Sequence, residues 1–274
     1  MNQTLYINTI LKKFRNPDAR PRSLPCDPEV YELLKEKSDF IENPTVYREL
    51  VGSLIYLMTG TRPDICYTVT LLSRFMNKPT KMHLQIAREV LNYLEYTKHY
   101  DLKYVRSPEK LQLFGYSYSD WARHSDFHSI SGYCLKLNRY SALISWKSSK
   151  QTLIAASTCE AEYLALHLAT SEALFLRQLF AEITKTDRQT VTIWSDNVGT
   201  IALAKHANYH SRTKHIDLKY HIVRDYIKRK AINVLYVPSQ SNLADMATKP
   251  IKGPNMRYFS IIRGIIPQYM INNQ

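Results

Sequence analysis

No run of apolar residues in this chain approaches the ~18 that a bilayer crossing needs, so nothing in it reads as a membrane span. The opening, Met1-Asn-Gln-Thr-Leu-Tyr-Ile7, has neither the basic region nor the apolar stretch of a secretory leader. Cysteine is sparse: Cys26, Cys66, Cys134 and Cys159 are scattered without a CxxC spacing. That excludes a zinc ribbon or a disulfide frame and reads as reduced, partly buried thiols of an intracellular protein. Acidic residues are short as well, 24 against 37 Lys and Arg, for a net charge of +13 and an isoelectric point near 9.5. The excess favours a polyanionic partner, nucleic acid before an acidic membrane surface, against the plainer alternative of a generically basic protein. Internal repeats and low-complexity tracts are also missing.

What is present is enough apolar material for a real core, 45% of 274 residues, arranged for one large domain or a medium and a small one. The organising stretch is Ser157-Thr-Cys-Glu-Ala-Glu-Tyr-Leu-Ala-Leu166. Ser157 with Glu160 three residues on forms a capping box that opens a long helix. Ala161, Leu164, Ala165, Leu168, Phe175, Leu176 and Leu179 follow at helical spacing and form its expected inward face. The cap accounts for Glu160. Glu162 lies about 200° away around the helix, with Cys159, Ala165 and Leu166 as neighbours, where a carboxylate is costly unless paired or bound to metal.

Upstream, residues 4–14 read as a short amphipathic helix and residues 15–44 as a proline-broken strap or linker. Three helices follow: Val46 to Met58, Pro63 to about Met76, and one after Pro79 carrying Ile86, Ala87, Val90, Leu91 and Leu94. This small helical unit ends near His99 and holds no catalytic constellation, so it reads as packing and docking surface. From Leu102 the texture turns to strands at Leu111–Ser119, Ile130–Leu137 and Ala142–Trp146. The Ser157 helix comes next, then strand Val191–Ser195, a short helix Val198–Lys205, a longer one from Lys214 to Lys230, strand Ile232–Val237 and a last short helix, Asn242–Thr248. That order predicts an α/β fold with a mixed sheet. Asp196 at a strand end and Asp245 on the last helix join Glu162 from three separate elements, as the oxygen ligands of a hard cation do. Each alone is as readily a cap or turn residue.

Four segments in order carry a resemblance: Tyr116-Ser-Tyr-Ser-Asp-Trp-Ala122, Ser131-Gly-Tyr133, Ile144-Ser-Trp-Lys-Ser-Ser-Lys-Gln151 and the Ser157–Leu166 stretch. With Ser195-Asp-Asn197, Arg212-Thr-Lys-His-Ile-Asp217 and Ala244-Asp-Met-Ala-Thr-Lys249, they resemble the ribonuclease H domain of Ty1/copia-type retrotransposon Pol polyproteins. Tyr47–Tyr56, Arg62-Pro-Asp64 and Pro79-Thr-Lys-Met-His83 resemble the thumb and connection of the same family, and residues 4–28 the end of its polymerase palm. The domains expected are palm tail and linker over 1–45, thumb/connection over 46–100, an RNase H-like α/β domain over 101–251 and a tail over 252–274. The paired aspartates of the palm are absent, so no complete polymerase is expected.

The resemblance implies a two-metal nuclease that cuts the RNA strand of an RNA/DNA hybrid, with four carboxylates around two Mg²⁺ (or Mn²⁺) ions about 3.5–4 Å apart. It makes Glu162, Asp196 and Asp245 three of the four. The family's first aspartate falls on Tyr118, within Gly115-Tyr-Ser-Tyr118-Ser-Asp120-Trp-Ala122. A phenol with pKa near 10 does not replace a bridging carboxylate at pH 7, so impaired turnover and fewer than two ions are expected. Asp120, on the same strand face but about 7 Å further along, is the only local substitute; its alternative is to cap the turn before Trp121. Arg123 and His124 replace the family's Gly-Asp, and Phe127 and His128 its basic pair. Lys147, Lys150, Arg212, Lys214, His215 and Lys249 suit phosphate contacts that position a duplex without reading sequence, or are solvated charge. Besides a hybrid or other nucleic acid, the partners implied are full-length Pol proteins of related elements, with no membrane. The family places its Pol in cytoplasmic virus-like particles, with the nucleus the second compartment.

Overall fold

The computed structural model describes residues 1–106, 111–121, 127–206, 217–250 and 264–267. They fall into two compact units, Met1–Tyr104 with Pro250–Gln274, and Val105–Lys249. No helix among the described residues is long and apolar enough to cross a membrane.

The first unit is helical. α1 spans Thr4–Phe14, and the proline-broken strap after it carries one helical turn, α2 (Val30–Leu33), that periodicity did not reveal. α3 (Thr45–Gly60) buries Tyr47, Leu50, Val51, Leu54 and Leu57. Pro63 opens a 3₁₀ turn (Pro63–Ile65) and not an α-helix; the helix proper, α4, runs only over Cys66–Ser73. α5 (Lys81–Tyr96) has a cap the sequence reading missed: Thr80 Oγ1 accepts the His83 N–H, and His83 Nδ1 accepts the Thr80 N–H at 3.0 Å. A short antiparallel pair, β1 (Tyr100–Leu102) with β7 (Ile265–Pro267), is a further addition.

A polar network is buried within the apolar core of this unit. Arg62 has no exposed side-chain surface, and its Nε and Nη2 donate to the Asp64 carboxylate at 2.9 and 2.6 Å. The Tyr93 hydroxyl donates to the same carboxylate at 2.7 Å, and Arg62 Nη2 also donates to Thr97 Oγ1 at 2.5 Å. A bidentate, fully dry pair of this kind is costly to break from one side, because the surviving charge is left in a low dielectric. Asp64→Ala is expected to destabilise the helical unit by about 3–5 kcal/mol, read as a drop in the urea midpoint of its unfolding.

The second unit is built on a five-stranded sheet. β2 (Phe114–Asp120), β3 (Ile130–Lys136) and β4 (Leu143–Lys150) are antiparallel neighbours. α6 (Thr158–Thr184) leads to β5 (Val191–Ser195), which lies parallel to β2. α7 (Val198–Lys205) and α8 (Asp217–Lys228) lead to β6 (Ile232–Tyr236), parallel to β5. The order β4-β3-β2-β5-β6, three antiparallel strands extended by two parallel ones through helical crossovers, is the ribonuclease H-like sheet. α6 packs its Tyr163, Leu164 and Leu166 with Tyr133, Leu135, Ile193 and Val234 of the sheet in one core.

Four expectations need correction here. β4 extends through Lys150, so Lys147 and Lys150 lie within a strand and not on the approach to the helix. Phe175 and Leu179, placed inward by periodicity, are 61% and 37% exposed. The inward face is instead continued by Ala169, Ala173 and Leu176, while residues 161–166 are buried all round. The last helix is a single 3₁₀ turn, Asp245–Ala247, after another at Ser239–Ser241. The cap of α6 differs in one bond: Ser157 Oγ accepts the Glu160 N–H at 3.2 Å, but Glu160 Oε2 reaches past Ser157 to accept from Ala156 N–H at 2.6 Å.

Candidate active site

Glu162 lies one turn into α6, where every residue from Ala161 to Leu166 is buried, and it is only 5% exposed. Its Oε1 accepts the Ser119 N–H of β2 at 3.0 Å. Its Oε2 is buried without a hydrogen-bond partner among the described residues. Asp196 follows the last residue of β5, just before Asn197 caps α7 by accepting the Thr200 N–H at 2.8 Å. Asp196 Oδ1 is likewise buried and unpartnered. Two acidic oxygens held dry without donors are a binding capacity that the chain itself leaves unfilled.

Asp245 opens the 3₁₀ turn that lies on the other face of the sheet from α6. Asn242 anchors this turn: its Nδ2 donates to the Ser117 carbonyl of β2 at 2.9 Å, and its Oδ1 accepts the Ala244 N–H at 3.1 Å. Gly132 makes room for it, since a Cβ there would stand 2.8 Å from both Ala247 Cβ and Thr248 Cγ2. Gly132 is the direct cross-strand partner of Tyr118, so the turn and Tyr118 share a face.

On that face sits Lys249. Its Nζ is 2.5 Å from Asp245 Oδ1, donates to Tyr118 Oη at 3.3 Å and lies 4.9 Å from the centre of the Tyr118 ring. Burial works against the charge of Lys249, but the Asp245 carboxylate and the Tyr118 hydroxyl outweigh it and hold the ammonium above its ordinary range. Burial also raises the Tyr118 phenol, with Lys249 pulling the other way, so Tyr118 is a neutral hydroxyl at physiological pH. Burial pushes the Glu162 carboxyl well above the usual carboxylate range; the Ser119 N–H opposes this, and the charges of Asp196 and Asp245 add to it. Glu162 therefore senses both other acids. Even so, among the described residues no three of His, Cys, Asp and Glu converge closely enough to form a metal-holding group.

Of the remaining expected residues, Asp120 ends β2 on the face of Tyr118 and is half-buried. Lys147 is exposed and Lys150 half-buried on β4. Arg212, Lys214 and His215 lie outside the described residues, as do Arg123 and His124. The connections flanking the site are tied together: Trp121 Nε1 donates to the Ala155 carbonyl at 3.1 Å, and His128 Nδ1 is 2.8 Å from the Gln151 carbonyl. Sequence reasoning assigned Lys249 to a phosphate and missed its pairing with Asp245, although the four-residue spacing of opposite charges was there to be read. It had no signal for Asn242 or for the Ser119 amide.

No profile of a known protein family matches the chain. Single sequences do. Over 266 residues, 97% of the chain, it is 35% identical to the retrovirus-related Pol polyprotein from transposon RE1 of Arabidopsis thaliana. Over 259 residues, 92% of the chain, it is 33% identical to that from transposon TNT 1-94 of Nicotiana tabacum. The chain belongs to the Pol polyproteins of copia/Ty1-type retrotransposons. It spans 18% and 19% of the length of these two Pol relatives. Among solved structures, LC11-RNase H1 aligns with a TM-score of 0.38 at 15% identity, over 50% of this chain and 92% of that one. The fold assignment of this Pol segment rests on its sheet order and not on that alignment.

A buried carboxyl whose folded pKa lies above its unfolded value binds more protons in the folded state, so stability falls as pH rises from the unfolded value through the folded one. Glu162 is such a group. In metal-free buffer at pH 7–8, Glu162→Gln is expected to stabilise the protein by about 1 kcal/mol, a rise in Tm of roughly 2–4 °C. The gain is expected to shrink as pH approaches the unfolded carboxylate range, and thermal unfolding across pH checks both statements.

Proposed function

We propose that this chain is the ribonuclease H segment of a copia-type Pol, a domain that holds RNA/DNA hybrid duplex and whose strand-cutting chemistry is impaired at Tyr118. The observation that carries the reading is the state of the acidic cluster. Glu162 Oε2 and Asp196 Oδ1 are buried and open to a cation, while Tyr118 supplies a neutral hydroxyl and Asp245 is spoken for by Lys249. Oxygen donors of this type suit Mg²⁺ or Mn²⁺, and Glu162 with Asp196 would hold it. When bound, such an ion supplies Lewis-acid activation of water and of a phosphodiester oxygen. The chain's own residues contribute the rest. Ser119 N–H orients Glu162, and Lys147, exposed on β4, is available to a phosphate. The net charge of +13 adds a sequence-independent attraction for the duplex. The helical unit corresponds to the family's thumb and connection and has a supporting role in holding nucleic acid.

LC11-RNase H1 has also been solved in complex with an RNA/DNA hybrid, which makes hybrid the first substrate to test. The experiment is cleavage of a labelled hybrid in Mg²⁺ and in Mn²⁺ by the wild type, Tyr118→Asp and Glu162→Ala. Wild type is expected to be slower than Tyr118→Asp by at least about two orders of magnitude, and Glu162→Ala to be silent. Hybrid binding in EDTA should persist in all three. A wild type that cuts as fast as Tyr118→Asp would overturn the disabling role of Tyr118 and make Asp120 the ligand to test next.

A further inference from the structure

The acidic cluster already contains a cation, and it belongs to the chain. Lys249 lies four residues after Asp245, and the 3₁₀ turn between them brings its ammonium back onto the Asp245 carboxylate. The side chain is 28% exposed and that of Asp245 17%, so solvent screens the pair only in part. The third side of the ammonium is Tyr118, which offers both a hydroxyl lone pair at 3.3 Å and the face of its ring. An aspartate at 118 would have offered charge instead. The tyrosine contributes no charge but still gives the ammonium a favourable seat, and so helps to hold Lys249 on Asp245.

An ammonium and a divalent ion compete for the same carboxylate. With Nζ at 2.5 Å from Asp245 Oδ1, an ion on Asp245 and Glu162 would face a like charge a few ångströms away, a repulsion that weakens its binding there.

We infer that Lys249 is the resident cation of this site and the residue that sets its affinity for divalent metal, with Tyr118 as the surface that seats it. The inference rests on the reading of Glu162, Asp196 and Asp245 as one ligand set, and adds that the weakness of the set comes from an occupied carboxylate as well as from a missing one. It also gives Tyr118 a second effect, as the partner that stabilises the competitor.

The test is Mn²⁺ binding by the intact chain, read from loss of the free-ion electron paramagnetic resonance signal, with circular dichroism as the check on folding. Lys249→Met keeps the aliphatic stem and removes the charge; Lys249→Gln repeats the test with a polar stem should Met fold poorly. Either is expected to bind Mn²⁺ at least ~10-fold more tightly than wild type. Lys249→Arg, which keeps the charge, is expected to stay at the wild-type value, and Glu162→Ala in the Lys249→Met background to erase the gain. A folded Lys249→Met that binds no tighter than wild type overturns the inference. If Tyr118→Asp then shows a Glu162-dependent gain, the ligand set itself stands and only the role of Lys249 is wrong. A gain in Lys249→Met that survives Glu162→Ala puts the ion elsewhere and overturns the ligand set together with the inference.

Discussion

A carboxylate buried in the first turns of α6 is the constraint around which the second unit is arranged. Glu162 is buried where it sits, and the Ser119 amide of β2, which donates to one oxygen, and the Lys249 ammonium both favour its charged form. That one bond joins the organising helix to the central strand at the end where β2 stops. The candidate site residues are hung from the same place: Asp196 at the end of the parallel neighbour β5, Asp120 at the end of β2, and Asp245 on a turn clamped to β2 by Asn242.

Charge balance then decides what the site can do. Burial, and after it the charges of Asp196 and Asp245, hold the Glu162 carboxyl above the usual carboxylate range. Such a cluster relaxes by taking up protons, by binding a cation or by recruiting a side-chain ammonium. In this chain the third route is taken on one side, where Lys249 meets Asp245 and Tyr118. On the other, burial raises the Glu162 carboxyl, which favours the first. Both compete with the second, and the nuclease chemistry of the family needs the second.

Much of this was legible in the sequence because the periodic elements are long and cleanly capped. The helix from Ser157, strand Val191–Ser195 and helix Val198–Lys205 stand where periodicity placed them. The misreadings have local physical causes. Lys147-Ser-Ser-Lys150 looked like a loop because it is polar, yet it lies on an edge strand, where polar and charged residues are tolerated. Phe175 and Leu179 looked inward because a single period was carried along a 27-residue helix whose second half keeps only a narrow inward face, at Ala173 and Leu176. The last helix shrank to a 3₁₀ turn because Asn242 and Gly132 set its path, and neither advertises that in one dimension. The places of the candidate acids, Asp196 after a strand and Glu162 near a helix start, were legible. The ammonium among them was not, because a lysine in a basic chain reads first as surface charge.

The most direct test of this account is anomalous diffraction at the manganese edge from crystals of the wild-type chain soaked in dilute Mn²⁺. The account predicts no manganese peak between Glu162 and Asp245, with the Lys249 ammonium still on Asp245 and Tyr118. A peak bridging Glu162 and Asp245, with Lys249 turned away into solvent, would contradict it and show an armed metal site in spite of Tyr118.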